Sequence, residues 1–396
     1  MSEIAPFAFE EGTRLLHDAD VSAVAVAAIR AIREVSARPL LPFVGADGPL
    51  RKAAFATSLQ GLSPRLSTLP DVGVLPAPLV DHLRAEARRC VARGERILST
   101  LSRLRELLAD AGIRAVPLKG AALVLRGEIP AGLRPMADID LLLESEADVW
   151  TAAARIEEAM GYRPLWNTRR HLVLAQREES VSLWACEHPE NPLRIELHRS
   201  FRLEVLGTVL DATDGLLRAT EPAEGWAVPS REPLLRHLLF HAAEDFAAKG
   251  LRGVQAVDFL VLAAREGPLP VPVVPKRCLG PVVLAIDALE RLFPGTFDAG
   301  EIERAAAEVS SDVRLRASSV PALRHSRPDR GWTLTSLGLV EGTLPQIRFL
   351  IRTLFPSLDE VKANVSPGAT GRALAVAWAR VLMGRLVSAA RRLGRR

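Results

Sequence analysis

Residues 117–143 read PLKGAALVLRGEIPAGLRPMADIDLLL and carry the clearest structural pattern in the chain. In a strand, side chains two apart point to the same face, so Asp138 and Asp140 share a face and Ile139 packs behind them. The three leucines that follow show no polar alternation, which indicates a strand covered on both sides, as in an α/β sheet. The pattern predicts two carboxylates at the mouth of a buried strand, although Asp-x-Asp alone also fits a solvated strand end or a cap.

The residues just before this strand predict an anion site. Residues 113–118 fit a short strand, and Lys119-Gly120 fits a glycine turn that opens a helix. Backbone N–H groups in the first turn of a helix lack partners, and the helix dipole favours negative charge there. Lys119 would add a point charge to the same phosphate. The simpler interpretation is a turn glycine beside a solvated lysine.

A third acidic residue lies downstream, on a segment that alternates apolar and polar residues. Ile195 and Leu197 face one side, while Arg194, Glu196 and His198 face the other. If this strand lies beside the one that carries the two aspartates, a spacing of about 4.8 Å brings Glu196 within reach of the same metals. Three carboxylates around two Mg²⁺ ions serve in-line phosphoryl or nucleotidyl transfer. The alternative is an ordinary amphipathic edge strand.

These three motifs together resemble a known family. The Leu118-Lys119-Gly120 turn, the segment from Arg134 to Asp140 with its leucine tail, and the later Ile195-Glu196-Leu197-His198 are similar to the uncharacterised bacterial nucleotidyltransferases. That family is a branch of the DNA polymerase β-like nucleotidyltransferase superfamily. The resemblance is densest over roughly residues 100–200 and extends more loosely to about residue 260. It implies an α/β (α+β) fold, with a nucleotidyltransferase-fold mixed sheet core between helical N- and C-terminal domains.

The resemblance also implies a reaction, in which Mg²⁺ or Mn²⁺ assists transfer of a nucleoside monophosphate from a nucleoside triphosphate to a hydroxyl of an unidentified acceptor. The acceptor would be a small molecule, a peptide or a protein. The implied catalytic and metal-binding residues are Asp138, Asp140 and Glu196, and the implied nucleotide-binding residues are Lys119, Gly120, Ala121, Arg134 and His198.

Two positions depart from the superfamily pattern. Ala121 stands where Gly or Ser usually follows the turn glycine, so no hydroxyl reaches a terminal phosphate from there. Glu196 stands where Asp is usual, although Glu also serves as a metal ligand or general base. These departures keep open a second interpretation, a catalytically inactive relative that binds a nucleotide or a partner through the same fold.

Composition and length limit the size of the core, the number of domains and the class of protein. The chain has 396 residues, 48% of them apolar, which suffices for a sizeable core and for two or three domains. Aromatic residues make up 5%, which argues against a nucleic-acid stacking platform. The three cysteines are widely spaced and fit neither a disulfide framework nor a zinc site. The start of the chain does not resemble a secretory signal, so we expect a cytoplasmic protein.

Periodicity predicts the elements around the core. We expect helices over residues 22–37, 79–111 and 146–160, the last ended by Gly161, and strands around Leu165, Leu172 and Val181. The predicted domains are a helical N-terminal region (1–110), the catalytic core (111–215) and a mainly helical C-terminal domain with a basic tail (216–396).

Two helical segments of the C-terminal region carry charged or ligating residues. His237 and His241 stand four apart in one helix, which fits either a metal site or a face packed on the catalytic core, and the His-Glu-x-x-His order is absent. Residues 361–396 contain eight Lys and Arg residues and no acids. A basic helix there would lie on an anionic membrane or touch nucleic acid as an adaptor, or would pack on the domain with a solvated end. Nucleic acid is the less expected partner.

Overall fold

The computed structural model describes residues 19–44, 47–168, 170–176, 192–318 and 320–323, with isolated positions up to residue 383. The strand predicted around Val181 and most of the basic tail, residues 361–396, lie outside the described residues. In the described part of the chain, no helix combines the length and the apolar character that crossing a membrane requires.

Helices dominate both ends of the chain, and short 3₁₀ segments link some of them. The helices are α1 (Ala19–Glu34), α2 (Asp47–Leu59), α3 (Ser63–Leu66), α4 (Ala77–Asp110), α5 (Lys119–Leu125), α6 (Glu146–Met160), α7 (Thr213–Arg218), α8 (Arg231–Lys249), α9 (Gly253–Glu266), α10 (Lys276–Leu292), α11 (Ala299–Ala307) and α12 (Ser311–Ser318). The strands are β1 (Ala115–Pro117), β2 (Asp138–Leu143), β3 (Arg163–Asn167), β4 (His171–Ala175), β5 (Arg194–His198), β6 (Arg202–Val205), β7 (Thr208–Asp211), β8 (Thr220–Ala223) and β9 (Trp226–Pro229).

The central sheet has five strands in the order β1-β2-β5-β4-β3. Strands β2 and β5 run parallel and the other neighbours run antiparallel, so the sheet is mixed as predicted. Along β2 and β5, Asp138 lies opposite Arg194 and Asp140 lies opposite Glu196. The expectation that the Glu196 strand lies beside the aspartate strand is therefore confirmed. Two further pairs, β6-β7 and β8-β9, form hairpins outside this sheet.

Helix α6 follows β2 and shows why the local sequence folds as predicted. The hydroxyl of Ser145 accepts a hydrogen bond from the backbone N–H of Asp148 and caps the first turn. Gly161 ends the helix in the left-handed region, with φ of 70°, a conformation that costs glycine little. One face of this helix packs against the sheet through Val149, Ala152, Ala153 and Ile156. The predicted bounds, 146–160, are confirmed.

Helix α4 links two apolar cores. It has 34 residues, which at 1.5 Å per residue gives a length of about 51 Å. Its C-terminal half, from Ile97 to Leu108, packs on the central sheet, while Leu79 and Leu83 near its start belong to a second core. The predicted helix over 79–111 is confirmed to within two residues at each end.

The second core is built by both helical ends of the chain together. Phe55 of α2 belongs to the same apolar cluster as Phe240 of α8, Phe259 of α9 and Leu289 of α10. The N-terminal and C-terminal helical regions therefore share one interior, which also includes Val116 and Leu142 of the sheet, and the opposite face of the sheet has a core of its own. The α+β class with flanking helices is confirmed, and the division into three domains stays a prediction.

Candidate functional site

Three carboxylates meet on neighbouring inner strands, on one face of the central sheet. Asp140 of β2 is buried, and Asp138 and Glu196 are half-buried. The backbone N–H of Leu118 donates to the carbonyl of Asp140 at 3.0 Å, which holds the turn before α5 against β2. The sheet thus brings the predicted acids and the predicted glycine turn to the same place.

Two basic side chains converge on Asp140. Nζ of Lys119 lies 2.6 Å from Oδ1 of Asp140, and Nε2 of His198 lies 2.8 Å from the same oxygen. Nε2 of His198 also lies 3.6 Å from Oε2 of Glu196. One carboxylate oxygen therefore holds an ammonium and an imidazole, and the imidazole links Asp140 to the third acid.

The charges of this cluster shift its pKa values. Burial alone would lower the pKa of Lys119, but Asp140, Asp138 and Glu196 outweigh burial and raise it. Burial alone would raise the pKa of Asp140, yet Lys119 and His198 hold it well below its ordinary value. Burial and the charge of Asp140 raise the pKa of Asp138 to about 6. Burial would lower the pKa of His198, and its hydrogen bonds to Asp140 and Glu196 raise it instead. The three carboxylates thus carry more negative charge than the ammonium of Lys119 neutralises.

The backbone of Lys119 is held in an uncommon conformation. Its φ is 47°, in the left-handed region, which costs a non-glycine residue about 1–2 kcal/mol. The N–H of Lys119 donates to Nε2 of His237 on α8 at 3.2 Å, and His237 is fully buried. Burial, with a further contribution from the charges of His241 and Lys119, holds the pKa of His237 well below its ordinary value. A neutral imidazole therefore accepts this bond and helps fix the Lys119 turn.

Gly120 and Arg134 form a close contact behind the turn. A Cβ built on Gly120 would overlap the guanidinium of Arg134, at 2.6 Å from its Cζ. The guanidinium is held by Asp258 of α9, with Nε to Oδ1 at 2.9 Å and Nη2 to Oδ2 at 2.8 Å. Glycine is required at position 120 because the buried ion pair occupies the space of a side chain. Ala121 is also buried, in the core of the sheet.

The structure thus gathers most of the predicted site residues and gives Arg134 a partner of its own. Lys119, Asp138, Asp140, Glu196 and His198 lie together, whereas Arg134 faces Gly120 and pairs with a helix of the C-terminal region. The predicted contacts of these residues with metal or nucleotide stay predictions.

Comparison with known proteins gives the family. A family model described as an uncharacterised nucleotidyltransferase matches residues 50–270, more than half of the chain. The chain belongs to this family. The match includes all three carboxylates of this cluster and the helices α8 and α9 that support it, and the resemblance found from the motifs is confirmed. Membership supports a general nucleotidyl transfer role. No curated protein and no solved structure matches the chain.

His171 also lies beside this cluster, and no sequence motif indicated it. His171 begins β4 opposite His198 of β5, and the two ring centroids are 5.1 Å apart. Burial and the charge of His198 lower the pKa of His171 to about 4, so its imidazole is neutral. The only signal in the sequence was a polar residue at the start of an otherwise apolar strand.

The two histidines of α8 support packing rather than metal binding. His237 contacts the Lys119 turn and packs edge-on against Phe201, with ring centroids 4.0 Å apart. Nδ1 of His241 lies 2.7 Å from Nε2 of Gln255, which also donates to Asp245. Among the described residues, neither histidine belongs to a cluster with the spacing of metal ligands.

Proposed function

We propose that this protein transfers a nucleoside monophosphate from a nucleoside triphosphate to a hydroxyl group. The observation that carries the proposal is the register of β2 and β5, which sets Asp140 opposite Glu196 with Asp138 beside them and Lys119 in contact. Three carboxylates on one face of the sheet next to an ammonium suit a phosphate chain with its cations. The family match supports the same class of reaction.

The donor set fits the divalent cation that the family implies. Carboxylate oxygens are the ligands that Mg²⁺ and Mn²⁺ prefer. The pKa of Asp138, raised to about 6 by burial and by the charge of Asp140, indicates a cluster with excess negative charge that a dication relieves. Asp138, Asp140 and Glu196 would hold the ion. When bound, it supplies positive charge to the phosphate oxygens.

The residues of the chain account for the proton and the leaving group. Glu196 accepts the proton of the acceptor hydroxyl as its oxygen attacks the α-phosphorus. The bond from the α-phosphorus to the bridging oxygen breaks, and pyrophosphate leaves with the electron pair. Lys119 stays protonated because the carboxylates raise its pKa, so its ammonium donates to the triphosphate throughout. The backbone N–H groups of Gly120 and Ala121, at the start of α5, would donate to phosphate oxygens.

The acceptor would lie on the Glu196 side of the site, over β4 and β3. Trp166 lies opposite Val173, and Val173 lies opposite Glu196. Opposed residues of antiparallel strands share a face, so Trp166 lies on the face of the carboxylates, about 10 Å from Glu196 at ordinary strand spacing. Trp166 is 40% exposed, and the guanidinium of Arg194 lies 5.0 Å from its ring centroid. This pair offers a flat, positively charged surface to an anionic or planar acceptor.

The experiment that tests the proposal follows a labelled phosphate. The full chain is incubated with a nucleoside triphosphate labelled at the α-phosphate, Mg²⁺ or Mn²⁺, and separate small-molecule and protein fractions of a cell extract. We expect label to move into one fraction with release of pyrophosphate, and intact mass to identify the product. Asp312→Asn, on an exposed position of α12, serves as the control for a lost carboxylate.

A second candidate is a nucleotide-binding relative without catalysis, favoured by the two basic groups that already occupy Asp140. It predicts that a nucleoside triphosphate binds but that no pyrophosphate appears with any acceptor fraction. The cytoplasmic location expected from the sequence stays a prediction in either case.

A further inference from the structure

We propose that His171, Glu196 and His198 bind a divalent transition-metal ion, at a place distinct from the carboxylate pair Asp138 and Asp140. One ligand atom of each of the three side chains lies within 4.8 Å of the other two. Of the residues that the structure describes, these are the set with the spacing of a metal site. Glu196 is the one residue shared with the carboxylate cluster.

Strand register explains the geometry. His171 and His198 are directly opposed across the antiparallel pair β4 and β5, so their rings project from the same face. Glu196 stands two residues before His198 on β5 and shares that face. A tetrahedral ion with bonds of about 2.0–2.2 Å needs donor atoms about 3.3–3.6 Å apart, so small side-chain rotations close this site. Nε2 of His198 and Oε2 of Glu196, 3.6 Å apart, already meet that spacing.

The donor set selects the class of ion. Two imidazole nitrogens and one carboxylate oxygen suit Zn²⁺, Mn²⁺ and related ions, whereas Mg²⁺ favours oxygen ligands. Nε2 of His198 now bonds Oδ1 of Asp140 at 2.8 Å, and this nitrogen has to release that oxygen when it binds the ion. Lys119 pairs with Asp140, outside the three proposed ligands. The sites therefore differ in chemistry: oxygens on the aspartate side and nitrogens on the histidine side.

The use of this ion in catalysis rests on the proposed function, but its binding does not. If nucleotidyl transfer occurs, an ion on Glu196 lies where the acceptor hydroxyl is deprotonated. The reaction should then run better with Mn²⁺ than with Mg²⁺, because only Mn²⁺ suits both donor sets.

The test measures binding of the metal alone. The full chain is stripped with a chelator, and Zn²⁺, Mn²⁺ and Mg²⁺ are titrated by calorimetry, with stoichiometry from elemental analysis. We expect Zn²⁺ to bind at least about 100-fold more tightly than Mg²⁺. His171→Ala should weaken Zn²⁺ binding by at least about 10–100-fold. His82→Ala on α4, which removes a histidine bonded to Ser58 at 2.9 Å, should leave it unchanged.

A spectroscopic readout on the unaltered protein keeps the test decisive if His171→Ala fails to fold. Paramagnetic resonance of the Mn²⁺ complex should show coupling to imidazole nitrogen. Absence of nitrogen coupling, or equal Zn²⁺ affinity in His171→Ala and the unaltered protein, overturns the proposal. Metal binding without pyrophosphate release would reject the proposed function alone, and Mg²⁺-dependent transfer without nitrogen coupling would reject this site alone.

Discussion

Replacing Gly120 with alanine tests the packing behind the site. A Cβ at this position would overlap the guanidinium of Arg134, which lies between Gly120 and Asp258. Arg134 cannot simply turn away, because its Nε and Nη2 both donate to the buried carboxylate of Asp258. Gly120→Ala must therefore either shift the backbone of the Lys119 turn or break the ion pair.

The expected cost follows from these two routes. Overpacking of a filled interior costs about 1–3 kcal/mol. Breaking a buried ion pair costs about 3–5 kcal/mol, because it leaves an uncompensated charge. Alanine offsets up to about 1 kcal/mol of this cost, because it favours a helix more than glycine does. We expect Gly120→Ala to lower the free energy of unfolding by about 2–4 kcal/mol.

The assay is urea unfolding followed by circular dichroism, with two controls. Gly280→Ala, in α10 with nothing within 4 Å of a built Cβ, should be neutral or stabilise by up to about 1 kcal/mol. In the Arg134→Met/Asp258→Leu background, Gly120→Ala should cost about 1 kcal/mol or less, because a flexible apolar chain replaces the guanidinium. Equal costs of Gly120→Ala in both backgrounds, or no cost in the unaltered protein, would refute the packing argument.

Three further predictions concern the nucleotide, the pH dependence and the tail. Lys119→Met should weaken binding of a fluorescent nucleoside triphosphate by about 10–100-fold, because a charge-assisted hydrogen bond is lost; unchanged affinity contradicts the role. Burial lowers the pKa of His237 in the folded chain, so below about pH 6.5 this imidazole is protonated only in the unfolded chain. The free energy of unfolding should therefore fall by up to about 1.4 kcal/mol for each pH unit of acidification. His237→Gln should show a shallower loss between pH 7 and pH 5 in urea unfolding, and an identical slope rejects the assignment. The membrane interpretation of the basic tail predicts that removing residues 371–396 abolishes sedimentation with anionic vesicles and leaves pyrophosphate release intact. Vesicle binding that persists without these residues would reject membrane binding by the tail.

Local pattern was enough to predict that the three carboxylates lie on polar faces of two strands. Asp138 and Asp140 lead directly into apolar leucines, and the alternation around Glu196 placed its side chain on the polar face of a second strand. The ends of α6 followed from a capping serine and a terminal glycine. These features depend on residues close in the chain, where spacing and turn chemistry decide the structure.

The contacts that complete the site join residues far apart in the chain. Arg134 and Asp258 are 124 positions apart, and Lys119 and His237 are 118 apart. Periodicity carries no information on which surfaces meet, so the ion pair behind Gly120 and the imidazole on the Lys119 amide could not be predicted. His171 was missed for the same reason, because its significance depends on lying opposite His198.

Nucleotidyl transfer by this protein is best tested by pyrophosphate release from the purified chain with a nucleoside triphosphate, an active acceptor fraction and Mg²⁺ or Mn²⁺. We expect metal-dependent release that stops on addition of chelator. Asp138→Asn and Asp140→Asn should each lower the rate by at least about 100-fold with the fold intact by circular dichroism. Absence of triphosphate consumption with every acceptor fraction, or an unchanged rate in both variants, would contradict the claim that these carboxylates catalyse nucleotidyl transfer.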